Sequence, residues 1–337
     1  METPSQRSEQ PSAPFALGTF QTADAGDAFP GLVVGDRVLD LRQALPSAPT
    51  DLLAVLAEWQ VTLPELHRLA SDRSRPGHAL NGLRVLAPVQ PRQIFQAGAN
   101  YRQHVIDLEV AHRSPDDPRS PEQARAEVAA VMDRRAREDQ PYVFIGLPSS
   151  ITGPYDDVEL PSWAAKPDWE LELAVVIGCR THRVETAQAL DHVAGYTIAN
   201  DLTDRASVFR PDMPAIGTDW LRSKNAPGFT PLGPYLVPAE FVGDPGDLQV
   251  TLTLNGQTMQ DESTKDMLFG VARLIAYISQ YAVLWPGDLV LTGSPAGNGL
   301  HWGRLLRDGD VMEGTITGLG GQRTRCVAPR QARGSAQ

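Results

Sequence analysis

Two glutamates spaced two apart, Glu170 and Glu172, stand in the run Asp168-Trp169-Glu170-Leu171-Glu172-Leu173, which continues into Val175-Val176-Ile177. In a β-strand alternate side chains share a face, so both carboxylates point one way while Leu171, Leu173 and Val175 fill the other. Paired carboxylates beside an apolar strand repel each other, and burial raises the cost of charging them. A bound cation removes that penalty. Ligands that offer only oxygen suit hard ions: Mg2+, Mn2+ or Ca2+. An ExE pattern also serves as the solvent-facing edge of an amphipathic strand. Asp201, at the polar end of Gly195-Tyr196-Thr197-Ile198-Ala199-Asn200, can bring a third carboxylate oxygen, although Asp is common in turns and helix caps as well.

The elements that must position these groups are legible in outline. Gln93 to Gln96 reads as a strand running into Gly98-Ala99-Asn100, and Asn100 is placed to cap a short helix, Tyr101 to Val110. That helix would hold His104 and Asp107 one turn apart on a shared face. A polar insertion, 111–140, follows. Its Ser120-Pro121-Glu122-Gln123 has the form of a capping box with proline at the first helical position, and Val128, Val131 and Met132 form a thin apolar stripe. The insertion is expected to be either a charged helix-bearing loop or a mobile lid. Beyond it, Tyr142 to Ile145, Val158 to Leu160, Trp169 to Ile177 and Tyr196 to Ala199 read as strands. Gln249 to Leu254 alternates into Asn255-Gly256, a tight hairpin turn. Met267 to Tyr281 keeps a helical period, and Pro286-Gly287-Asp288 turns into an apolar strand, Leu289 to Leu291.

These patterns predict an α+β protein of rolled, mostly antiparallel sheets. A disordered tail is expected over 1–14, a small N-terminal α+β unit over 15–91 with helices at Asp51 to Trp59 and Leu63 to Ser71, and a catalytic domain over 92–330. The net charge of −11 argues against nucleic acid as a partner, since phosphate binding wants a basic surface. No run of eighteen apolar residues suggests a membrane span. The start of the chain lacks a signal-peptide pattern, so a cytoplasmic location is expected. Cys179 and Cys326 form neither a CxxC nor a Cys/His cluster, so no zinc spacing or disulfide framework is present.

The run DWELELAVVIG, followed by GYTIANDLTDR, resembles the catalytic core of the fumarylacetoacetate hydrolase superfamily. Trp220-Leu221-Arg222-Ser223-Lys224 leading to Phe229-Thr230-Pro231-Leu232-Gly233-Pro234 resembles the family's lysine segment. Asn255-Gly256 with Gln260, and Pro286-Gly287-Asp288 to Thr292-Gly293-Ser294-Pro295-Ala296-Gly297, match two more segments in order. Asn100-Tyr101-Arg102-Gln103-His104 resembles its NYxxH segment. The resemblance implies a β-roll fold, a homodimer, and Glu170, Glu172 and Asp201 as ligands of Mg2+ or Mn2+. It makes Lys224 a charge near substrate oxygens and His104 the general base. Tyr101, Arg102, Gln260, Thr292 and Ser294 are then substrate-binding. The sequence departs from many relatives in two places. Asp107 stands where they often have Glu, so either Asp107 or Glu109 is expected to orient His104. Phe144-Ile145-Gly146-Leu147-Pro148 lacks the lysine many carry before the proline.

The expected reaction is hydrolysis of a C–C bond in a small 1,3-diketo acid through a metal-stabilised enolate. Decarboxylation or keto–enol isomerisation of a β-keto acid needs the same site without the attacking water. A non-catalytic metal- or ligand-binding protein is the reading from another class, and it leaves His104 and Lys224 unexplained.

Overall fold

The alternation around Glu172 produces the central strand of the molecule, Leu171–Ile177, buried along its whole length. In the computed structural model, residues 12–111, 117–215 and 217–329 are described. Most of the expected tail lies outside them. The central strand belongs to a six-stranded sheet in the order Val237–Pro238, Val193–Asn200, Leu171–Ile177, Leu289–Leu291, Ile94–Gly98, Tyr142–Gly146. All neighbours are antiparallel except Leu289–Leu291 and Ile94–Gly98, which run parallel. A five-stranded sheet carries the Asn255-Gly256 hairpin. Both turn residues there have positive φ, 53° and 81°, as that tight turn demands.

The N-terminal unit is a five-stranded antiparallel sheet backed by two helices, Leu52–Ala57 and Trp59–Ser71. The second helix begins at Trp59, four residues before the expected start. This unit does not keep its core to itself. Phe15, Leu32, Leu56 and Leu66 share one apolar cluster with Ala174, Val176 and Leu289 of the six-stranded sheet. By alternation Ala174 and Val176 lie on the face of Glu172, so the N-terminal unit closes the acidic side of the central strand. Leu171, Leu173 and Val175 join the larger cluster on the opposite face.

Asn100 does not cap the helix that follows it. Its side chain donates to the carbonyls of Phe269 (3.0 Å) and Thr292 (2.7 Å) and accepts from the Phe269 N–H (3.0 Å), stapling three segments together. The cap comes from far away in sequence: Asp266 accepts the Gln103 N–H at 2.7 Å. The insertion forms the helix Pro121–Glu138 with the expected capping box. It docks on the His104 helix, Arg102–Ala111, through Arg125–Asp107 (2.8 Å) and Arg102–Asp133 (2.7 Å). Arg273 also donates to the carbonyl of Asp139 at 3.1 Å.

Register in the central sheet depends on close backbone approach at Gly195, which pairs with Pro238. A β-carbon at Gly195 would sit 2.2 Å from the Val237 carbonyl oxygen. Gly195→Ala is therefore expected to destabilise the protein by about 2 kcal/mol, read as a melting temperature lowered by several degrees. An unchanged melting curve would show that the sheet can spread at this point.

Candidate metal centre and catalytic pocket

Antiparallel pairing of Leu171–Ile177 with Val193–Asn200 sets Leu171 opposite Asn200 and Glu172 opposite Ala199. The next pair out is Glu170 and Asp201, joined by the Asp201 N–H donating to the Glu170 carbonyl at 2.8 Å. Register alone thus brings Asp201 to the paired glutamates. One oxygen from each of Glu170, Glu172 and Asp201 lies within 4.8 Å of the others, and all three residues are buried. They are not fanned into solvent.

Each carboxylate has its own support. Glu172 accepts the Gly293 N–H at 2.7 Å, from a backbone with φ +90° that only glycine adopts readily. Glu170 accepts from Thr203 (2.9 Å), from Lys224 (2.6 Å) and from Arg205 (2.8 Å), whose Nε also reaches Asp168 at 2.8 Å. Asp201 accepts from Gln96 at 2.6 Å and is bridged by the Lys224 ammonium. Burial would raise Glu170, but Arg205 and Lys224 outweigh it and hold that carboxyl far below the usual range. Burial, reinforced by Asp201 and Glu170, pushes Glu172 well up, and burial brings Asp201 to about 6.

The donor set fits a hard divalent cation. Four buried carboxylates (Asp168, Glu170, Glu172 and Asp201) face two cations, buried Lys224 and partly buried Arg205, which leaves a formal charge of −2. Glu172 has no ion-pair partner among the described residues. A divalent ion on Glu170, Glu172 and Asp201 cancels that charge with oxygen ligands alone.

The cluster floors a cavity of about 430 Å³. His104, Lys224 and Ser294 line it with the three acids. Burial lowers His104 to about 4, so it is a neutral imidazole at pH 7. Asp107 does not stand free to orient it. That carboxylate accepts from Gln103 at 2.8 Å and pairs with Arg125, while Glu109 is exposed at the cavity lining. No described residue of the insertion helix lines the cavity, so the lid reading finds no support in its position.

Four expected substrate contacts lie elsewhere. Arg102, two positions before His104 and hence on another side of the helix, turns to Asp133. Gln260 is engaged within the protein: it accepts the Leu171 N–H (3.2 Å) and donates to Ser294 (2.9 Å) and the Pro295 carbonyl (3.0 Å). Thr292 donates to the Leu173 carbonyl at 3.0 Å, and Tyr101 is fully buried. Gln260 and Thr292 brace the strand and turn behind the acids.

Three residues in or around the acidic cluster, Asp168, Arg205 and Gln96, are absent from the expected site residues. Asp168 and Arg205 lie inside the motifs that were read, and their pairing could have been suspected from opposite charge at the start and end of two paired strands. Gln96 gave no local signal. Its Oε1 lies 2.5 Å from where a β-carbon on Gly146 would be, so the glycine in Phe144-Ile145-Gly146-Leu147-Pro148 makes room for it. Gln96→Leu should weaken Mn2+ binding about 10- to 100-fold by titration calorimetry, with a near-normal melting temperature, because it removes the donor that orients Asp201. Unaltered affinity would reduce Gln96 to a packing residue.

The family model described as fumarylacetoacetate (FAA) hydrolase C-terminal matches residues 93–327. The Bos taurus protein named oxaloacetate tautomerase FAHD2A, mitochondrial, is 33% identical over 316 residues, covering 92% of this chain and 91% of its own. A Sphingomonas protein named 2,4-didehydro-3-deoxy-L-rhamnonate hydrolase is 34% identical over 303 residues, covering 88% and 92%. The solved structure of a fumarylacetoacetate hydrolase from Exiguobacterium antarcticum superposes with a TM-score of 0.71 at 27% identity, over 94% of this chain and all of its own. A buried acidic triad on an α+β scaffold, a family match over residues 93–327 and relatives aligned nearly end to end lead to one conclusion: the chain belongs to the fumarylacetoacetate hydrolase family.

Proposed function

We propose that this enzyme hydrolyses a C–C bond in a small 1,3-diketo acid of the acylpyruvate type. The observation that carries the reading is the convergence on one cavity of three buried carboxylates, the ammonium of Lys224 and the neutral imidazole of His104. A divalent cation, Mg2+ or Mn2+, held by Glu170, Glu172 and Asp201 would supply Lewis acidity at the oxygens of the 2-oxo acid.

The side chains do the rest. Lys224 adds a fixed positive charge where the substrate's oxygens become negative, in a buried site where such a charge acts strongly. His104 accepts a proton from a water molecule, and the hydroxide so formed adds to the distal carbonyl. The bond between that carbonyl carbon and the α-carbon then breaks, its electron pair going to the enolate of the 2-oxo acid. His104 returns its proton to the α-carbon, which leaves a carboxylic acid and a 2-oxo acid.

Keto–enol tautomerisation of an oxaloacetate-like acid is the second reading. It is favoured by the engagement of Asp107 with Gln103 and Arg125, because moving a proton on carbon needs the base and the charge but no oriented water. The Bos taurus relative carries that activity in its name.

His104→Ala is expected to lower kcat on an acylpyruvate by about 10²- to 10⁴-fold while Mn2+ affinity stays near wild type. The wild-type protein should release pyruvate and carboxylic acid in equal amounts. Interconversion of keto and enol forms without cleavage would replace hydrolysis by tautomerisation, and full activity in the variant would remove His104 from the chemistry.

A further inference from the structure

Resting on the reading above, we propose that the far end of the cavity selects substrates whose distal group is aromatic or bulky, apolar and uncharged. The cavity is two-sided in its chemistry. Buried Glu170, Glu172, Asp201 and Lys224 line one part of it, and Phe144, Trp220, Val208, Phe209, Leu108 and Leu300 contribute the apolar lining, Phe209 being largely exposed. Phe144 and Trp220 are stacked, with ring centroids 4.3 Å apart and planes at 15°. The indole N–H donates to the Tyr142 hydroxyl at 2.6 Å, which fixes the ring in place. Lys224 Nζ lies 5.6 Å from the centre of the Phe144 ring, so the aromatic wall begins about one ring's width from the polar head of the site.

Charge points the same way. Lys224 is assigned to the oxygens of the substrate's head in the reading above, and Arg205 is paired with Asp168 and Glu170. The other lining cation, Lys166, is exposed, and exposed Glu109 lines the same cavity with opposite charge. A second carboxylate on the substrate would therefore be pressed against Phe144 and Trp220 without a buried partner, which is costly. An aryl or branched alkyl group there instead removes apolar surface from water on both sides. The volume, about 430 Å³, falls within the roughly 300–1,000 Å³ of pockets that take extended organic ligands, more than a four-carbon acid fills.

The test compares three inert ligands with one shared head on the Mn2+-loaded protein by titration calorimetry: oxamate, N-phenyloxamate and N-(carboxymethyl)oxamate. The phenyl compound is expected to bind about 10- to 100-fold tighter than oxamate, and the carboxymethyl compound no tighter. Trp220→Ala should remove most of the phenyl advantage. Equal affinities, or tightest binding of the carboxymethyl compound, would overturn the selectivity while leaving the proposed head site intact. Failure of all three to bind would overturn the head site and the selectivity together.

Discussion

Three buried carboxyl groups, one oxygen of each within 4.8 Å of the others, are the constraint around which this structure is organised. In a low-dielectric interior such a group is unstable unless opposite charge and hydrogen bonds answer it. The fold supplies both from separate elements: the Gly293 N–H for Glu172, Thr203 and Arg205 for Glu170, Gln96 for Asp201, and Lys224 across two of the three. What the protein itself does not supply is the last two units of positive charge. That deficit suits the acidic cluster to a divalent ion held by oxygen ligands alone.

The N-terminal unit gains a purpose from the same constraint. Its apolar residues share a core with Ala174, Val176 and Leu289, so it seals the strand face that carries Glu172. Glu172 also lines the cavity, whose polar floor and aromatic wall are separated by little more than one ring. The sheet thus holds rigid ligands at one end of a strand pair, while the segments beyond it shape what reaches them.

Much of this was readable in the residues. The two-residue spacing of Glu170 and Glu172 beside Leu171 and Leu173 gave the face, and Asp201 at the end of a second strand gave the third acid. Both depend on alternation, which is local. The misreadings are cases in which distant groups decide. Asn100 has the side chain of a helix cap, but three backbone groups of Phe269 and Thr292 claim it, and Asp266 takes the cap instead. Arg102 and Asp107 stand next to His104 in sequence, yet Asp133 and Arg125 of the insertion helix hold them. Gln260 and Thr292 sit in family motifs but are consumed by backbone partners. Gln96 acts on a residue 105 positions away, and no periodicity could have announced it.

The central claim is tested most directly by a crystal structure of the protein soaked with Mn2+, read by anomalous scattering at the manganese edge. A single peak bonded to carboxylate oxygens of Glu170, Glu172 and Asp201 is expected, with the Lys224 ammonium withdrawn from its bridge between Glu170 and Asp201. A peak elsewhere, or none while Lys224 still joins those two acids, would contradict the claim.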